Sequence, residues 1–248
     1  LYRLLGEYRR SVPVYIAGGY YEPGKGTVDL QREMDGYMEL GVSGVKMKVG
    51  ALGIHEDAAR VKAVREAIGP GALLMLDANC AYTGHRAVQF ARQVEEYDIY
   101  CLEEPVAPHD YNGMKMLAEK TVIPLAAGEN EYTKWGFKEL IDTGAVPVLN
   151  PAPFLMGGVT EFLKTAALSQ AHCLELAPHG DQTINVSLGA AVGNVSYIEY
   201  YPPAYDEVWR NAFSHSLEID GEGRLPAPER PGTGFEPDYG VLDRFRII

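Results

Sequence analysis

Leu73-Leu74-Met75-Leu76-Asp77, Ile99-Tyr100-Cys101-Leu102-Glu103 and Pro124-Leu125-Ala126-Ala127-Gly128-Glu129 are three short apolar runs, each closing on an acid. Runs of this length and composition suit buried strands. Helix-like sequence separates them, so the strands pair in parallel. A parallel barrel gathers the C-terminal ends of neighbouring strands at one mouth. Asp77, Glu103 and Glu129 would therefore converge there. Converging carboxylates repel unless a cation lies between them. An all-oxygen ligand set suits a hard divalent ion, so Mg²⁺ is the expected cofactor.

The preceding strand-like run is Val45-Lys46-Met47-Lys48-Val49. A strand alternates its side chains, which puts Lys46 and Lys48 on one face and Met47 on the other. On an edge strand both lysines would simply be solvated. On an inward face they are costly unless paired with negative charge, and their pKa becomes adjustable. That is what a general base requires, and three carboxylates on the next strands favour this reading.

Outward from these runs, strand candidates recur every 25–30 residues or so, as βα units do. They are Val12–Ala17, Gly44–Val49, Ala72–Asp77, Tyr100–Glu103, Pro124–Ala127, Val146–Asn150, Cys173–Ala177 and Ser196–Tyr200. Helical stripes fill the gaps: Leu30, Met34, Tyr37 and Met38; Ala58, Val61, Val64 and Ile68; Ala87, Phe90, Ala91 and Val94; Phe137, Leu140 and Ile141; Val159, Phe162, Leu163 and Ala166. Gly41, Gly69 and Gly144 stand where helices should stop. Eight strands in about 200 residues fit a closed α/β barrel better than an open sheet. Residues 1–200 are read as that barrel. Residues 201–248 carry Pro202-Pro203, Asp220-Gly221-Glu222-Gly223 and a Pro/Gly-rich stretch to Pro237, and are read as an irregular tail on the barrel surface.

The chain has 248 residues, a net charge of −12 and 46% hydrophobic content. Such acidity argues against nucleic acid and anionic membranes as partners. No apolar run reaches the length of a membrane span. Cys80, Cys101 and Cys173 form no CxxC pair, which suits reduced thiols in a cytoplasmic protein.

His179, in Ala177-Pro178-His179-Gly180, follows the seventh strand candidate and could face Lys48 across the mouth as an acid or base. A structural loop histidine is the plainer alternative. Glu199 lies inside the last strand, Tyr197-Ile198-Glu199-Tyr200, and is either an inward functional group or an exposed rim residue. Asn79, Glu104 and Asn130 adjoin the metal-ligand candidates and could support them, or could be solvated loop residues. The same holds for Glu131. Gly157-Gly158 opens a helix and could present N–H groups to an anion, or merely start the helix. His55, His85, His109, His172 and His215 show no ligand spacing.

Together these residues resemble the enolase superfamily, in its mandelate-racemase-like subgroup. The matching pieces are Lys46/Lys48, Leu76–Asn79, Leu102–Pro105, Gly128–Asn130, Gly157–Glu161, Pro178–Gly180 and Ile198–Glu199, with Pro231–Gly234 in the tail. They run in order over nearly the whole chain. The resemblance implies a (β/α)7β barrel and Mg²⁺-assisted removal of the proton α to a carboxylate, the mechanism known for that superfamily. It implies Asp77, Glu103 and Glu129 as metal ligands and Lys48 as base. It implies Lys46 as electrostatic partner, His179 as acid, and a protonated Glu199 as donor to the enolate oxygen. The substrate class it implies is a small carboxylate, above all a sugar acid dehydrated to a 2-keto-3-deoxy acid. A racemase or epimerase, and a non-catalytic member, are the alternatives.

Two departures accompany the resemblance. Where the subgroup's sixth strand usually ends in an Asp that pairs with the catalytic histidine, this chain has Ala152; Asn150 lies on the same face one layer deeper and cannot replace a charge. The subgroup's N-terminal capping domain has no counterpart in this chain. Upstream sequence or a neighbouring subunit would have to close the mouth, so a homo-oligomer is expected.

Overall fold

The computed structural model describes residues 1–202, 211–213 and 215–247. Pro203, in the expected start of the tail, lies outside the described residues. After a short helix α1 (Tyr2–Leu5), strands and helices alternate. They are β1 (Ser11–Gly18), α2 (Thr27–Met38), β2 (Gly44–Lys48), α3 (Ile54–Ile68), β3 (Leu73–Asp77), α4 (Gly84–Val94), β4 (Ile99–Glu103), α5 (Tyr111–Ala118), β5 (Leu125–Ala127), α6 (Thr133–Asp142), β6 (Val148–Leu149), α7 (Pro153–Met156), α8 (Val159–Ala171), β7 (Glu175–Leu176), α9 (Gln182–Ala191) and β8 (Ile198–Tyr200).

The eight strands pair in parallel in the order β7-β6-β5-β4-β3-β2-β1-β8. A further parallel bridge, Leu176 to Val195, joins β7 to the residues entering β8. The sheet therefore curls into the expected α/β barrel. All eight strand candidates are strands. Gly41, Gly69 and Gly144 do sit at helix ends, each at positive φ.

Two apolar layers explain why the strands read as unbroken hydrophobic runs. Tyr15, Met75, Cys101, Ala126, Val148 and Ala177 fill the barrel interior. Val14, Ile16, Val45, Met47, Leu74, Leu76 and Leu102 face outward onto buried helix residues such as Leu30, Met34, Val61, Val64 and Phe90. Strand register then sets the polar rows. Lys46 pairs with Met75, which pairs with Cys101; one pleat higher, Lys48 pairs with Asp77, which pairs with Glu103. Both lysines share the inner face with the acids.

Among the described helices of eight or more residues, α5 and α9 carried no stripe in the sequence. In α5 the N-cap Asp110 accepts from the Gly113 N–H (2.8 Å), and a glycine that deep in an eight-residue helix blurs the period. In α9 polar and apolar residues alike are buried, including Gln182, Thr183, Asn185 and Ser187, so it has no polar face to reveal a period. The tail is more ordered than its composition suggests. Its strand β9 (Arg224–Pro226) pairs antiparallel with the start of β1, and the Arg224 guanidinium donates to the Ser11 hydroxyl and carbonyl, each at 2.8 Å. Among the described residues no helix is long and apolar enough to cross a membrane.

Candidate active site

The two lysines share β2, and each acid and the histidine arrive from the end of another strand. Lys46 is buried to 1% exposure, and its Nζ lies 2.6 Å from both Glu103 Oε2 and Glu199 Oε1, with Asp77 Oδ2 at 3.7 Å. Lys48, one pleat nearer the mouth and partly exposed, donates to Asp77 Oδ2 at 2.5 Å. The other Asp77 oxygen accepts the Asn79 N–H at 3.0 Å. His179 Nδ1 stands 2.9 Å from Glu199 Oε2 and 3.3 Å from Glu129 Oε2. The Gly180 N–H donates to the same Glu199 oxygen at 3.0 Å.

Electrostatics sort these groups. Burial alone would lower the Lys46 pKa, but the attraction of Glu103 and Glu199 outweighs it and holds the ammonium well above its usual value. Burial pushes the Glu103 carboxyl up to about 8, opposed by Lys46 and reinforced by the neighbouring charge of Asp77. Burial also acts to raise Glu199, yet Lys46 and His179 overcome it and hold that carboxyl well below the usual range. Glu199 thus lies between Lys46 and His179 and accepts the Gly180 N–H. Burial would lower His179, but the hydrogen bond and charge of Glu199 raise it. Burial raises Glu129.

The neighbouring candidates have defined partners. The Asn130 side-chain amide donates to both oxygens of Glu104 (2.8 and 3.0 Å), and the Cys80 thiol donates to Glu104 Oε2 (3.2 Å). Burial and that acceptor push the Cys80 thiol up to about 12. Asn150 turns away, donating to the Ala177 carbonyl at 2.9 Å. Glu131 accepts from the Tyr111 hydroxyl at 2.9 Å. Gly157 and Gly158 link α7 to α8. Ala152 is fully buried and begins α7, and the preceding Pro151 carbonyl accepts the His179 N–H at 3.0 Å. With no acid at 152, Glu199 and Glu129 are the carboxylates at His179.

Sequence reading missed two aromatic neighbours. Lys46 Nζ lies 5.5 Å from the Tyr15 ring centre, and Lys48 Nζ lies 5.8 Å from that of Tyr20. Tyr15 looked like one more apolar strand residue. Its position two residues from Ala17, the register partner of Lys46, was the available signal.

The carboxylate oxygens here suit a hard divalent cation, and a histidine nitrogen lies among them. One ligand atom each from Glu103, Glu129 and His179 lies within 4.8 Å of the others. Glu103 Oε1 is buried without a hydrogen-bond partner. A buried carboxylate oxygen left unpaired is costly unless something positive takes it up. Asp77 stands beside this group, engaged by Lys48.

A family model described as Enolase C-terminal domain-like matches residues 29–241. Arabinonate dehydratase from Saccharolobus solfataricus is 34% identical over 250 residues, covering 99% of this chain and 66% of that protein. The 3,6-anhydro-alpha-L-galactonate cycloisomerase of Streptomyces coelicolor is 32% identical over 247 residues, covering 100% of this chain and 66% of that protein. Among solved structures, L-talarate/galactarate dehydratase from Salmonella typhimurium, liganded with Mg and L-lyxarohydroxamate, superposes with a TM-score of 0.89 at 30% identity. That match covers 98% of this chain and 60% of the other. The chain thus spans 66% of the length of the first two relatives.

Proposed function

This chain belongs to the enolase C-terminal domain-like family, within the enolase superfamily's mandelate-racemase-like subgroup, and from that premise we propose that it is the barrel of an Mg²⁺-dependent sugar-acid dehydratase. The observation that carries the reading is the placement of Lys48, Asp77 and Glu103 in one row across three adjacent strands, with His179 across the mouth. The named activities of the relatives, dehydratases among them, support the same class.

Asp77, Glu103 and Glu129 would hold the ion. Bound there, Mg²⁺ supplies positive charge beside a substrate carboxylate as that group gains charge. Asp77 accepts from Lys48 on Oδ2 and from the Asn79 N–H on Oδ1, and its remaining lone pairs could serve the ion. Lys48, as a neutral amine at the mouth, could take the proton α to the substrate carboxylate. Lys46 stays charged beneath it, held by Glu103 and Glu199, and steadies the negative charge that develops. His179 sits on the far side, where it can give its proton to the departing hydroxide. Glu199 orients that imidazole through Nδ1.

The test is a sugar-acid library incubated with the full-length protein, with Mg²⁺ and with chelator, assayed for α-keto acid. Mg²⁺-dependent formation of a 2-keto-3-deoxy acid is the expected result. A racemase or epimerase is the second reading, because Lys48 and His179 flank the mouth and a cycloisomerase is among the relatives. It predicts α-proton exchange with solvent and no keto acid. Mg²⁺ binding with neither outcome would leave the non-catalytic reading.

A further inference from the structure

Outside the acid cluster, a buried polar network lies behind Lys48. Asp57 and Arg60, one helical turn apart on α3, are its centre. Asp57 is fully buried, and Arg60 is nearly so. Asp57 Oδ2 accepts the N–H groups of Gly50 (2.9 Å) and Leu52 (3.3 Å), both in the loop leaving β2. Its Oδ1 accepts the Tyr21 hydroxyl (2.5 Å) and faces Arg60 Nη1 (3.2 Å). The Tyr21 oxygen in turn accepts the Ala51 N–H at 3.3 Å. Arg60 donates Nη1 to the Lys48 carbonyl (2.8 Å) and Nη2 to the Gly19 carbonyl (2.7 Å). Its guanidinium lies over the Tyr21 ring at 3.9 Å.

These bonds fall where the sheet stops. The last register pair between β1 and β2 is Gly18 with Met47, so Gly19 and Lys48 lie just beyond it. Arg60 bridges their two carbonyls with a planar fork that a lysine cannot reproduce. Asp57 fixes the two N–H groups that follow. The backbone from the Lys48 carbonyl onward is thus tied to one helix, as is the segment carrying Tyr20, whose ring faces the Lys48 ammonium. Stability alone would be served by burying apolar residues here, since removing charges from water is expensive.

We propose that Asp57, Arg60 and Tyr21 form a positioning clamp that sets the backbone of Lys48, and with it the placement of the amine at the barrel mouth. The clamp rests on the reading of Lys48 as the base. Misplacing a reacting group by about 1 Å can cost about 10²-fold in rate. Loss of the fork should therefore lower kcat while leaving substrate affinity to the rest of the site.

The experiment compares the full-length wild type with Arg60→Lys and Tyr21→Phe. Arg60→Lys keeps the charge beside Asp57 but cannot span both carbonyls. Tyr21→Phe removes one hydroxyl with little change of volume, and it decides the matter if Arg60→Lys does not fold. Two readouts are taken on folded protein. The first is kcat against KM. A fall in kcat of about 10–100-fold for Arg60→Lys, and several-fold for Tyr21→Phe, with KM within about twofold, supports the clamp. A raised KM with unchanged kcat, or wild-type constants, overturns it. The second readout needs no turnover: the rate of reductive methylation of each lysine, followed by peptide mass spectrometry. Faster modification of Lys48 relative to the exposed Lys62 supports the clamp, and an unchanged ratio overturns it. If the wild type converts no sugar acid, the functional reading fails on its own and the methylation ratio still decides the clamp.

Discussion

Lys46 and Lys48 are two residues apart and face opposite consequences on mutation. Lys46 is enclosed with Glu103 and Glu199, so Lys46→Met would leave two carboxylates buried without their cation. Breaking such a buried pair typically costs about 3–5 kcal/mol, which denaturant unfolding of the metal-free protein would read. Lys48 is partly exposed and bonded to one carboxylate, so Lys48→Ala should fold normally and lose exchange of the substrate α-proton with deuterated solvent. Exchange at the wild-type rate would place the base elsewhere. Glu103 adds a pH signature. Its folded pKa of about 8 lies above the ordinary carboxylate value, so between the two the folded protein holds a proton that the unfolded chain lacks. Stability of the metal-free protein should therefore fall as pH rises from about 5 to about 8. The raised His179 acts in the same direction. Glu103→Gln should flatten the slope of melting temperature against pH. Ala152→Asp restores the acid usual to the subgroup. Because Glu199 already lies at His179 Nδ1, turnover should change by less than about tenfold, against the roughly 10²–10⁴-fold of an independent general acid or base.

Short connections between strand and helix deliver the site residues. Gly128, between β5 and Glu129, shows how narrow the tolerance is. Its φ is +137°, and a Cβ there would stand 2.8 Å from the Phe137 ring and 3.1 Å from the Asn150 nitrogen. Only a residue without a side chain lets α6 and β6 close on the end of β5 while Glu129 turns inward. Gly128→Ala should destabilise the protein by about 1–3 kcal/mol through backbone strain. It should also weaken Mg²⁺ binding, measurable by calorimetry, because the strained turn carries Glu129. A variant with wild-type Mg²⁺ affinity would show that Glu129 is not a ligand.

Across the whole molecule, the proposed metal site would join elements distant in sequence, since Asp77 and Glu103 end β3 and β4 and Glu129 follows β5. An ion bound only by the folded protein stabilises all of them together. At about 100 times its Kd it adds about 2.7 kcal/mol. For a domain of this size that corresponds to a rise of roughly 5–11 °C in melting temperature. A thermal-shift titration with MgCl₂, against NaCl at matched ionic strength, measures it. No shift at saturating Mg²⁺ would rule out a folded-state site.

The sequence by itself determined the barrel, its eight strands and the side chains that share its inner face. Those follow from period-two alternation, from apolar runs closing on acids, and from glycines at helix ends, all local properties of the chain. It did not reveal α9, whose residues are buried on every side, nor the pairing of β9 with β1, which joins residues more than 200 positions apart. Partnership among the charged groups was likewise decided only in three dimensions. Glu199 proved to lie between Lys46 and His179, Asp77 proved to be bonded by Lys48, and Arg60 proved to bridge the ends of β1 and β2. Each outcome depends on distances of a few ångströms between side chains from different strands and helices, and on the low dielectric that their packing creates. A linear pattern encodes which face a side chain takes, and only the closed barrel sets which charge it meets there.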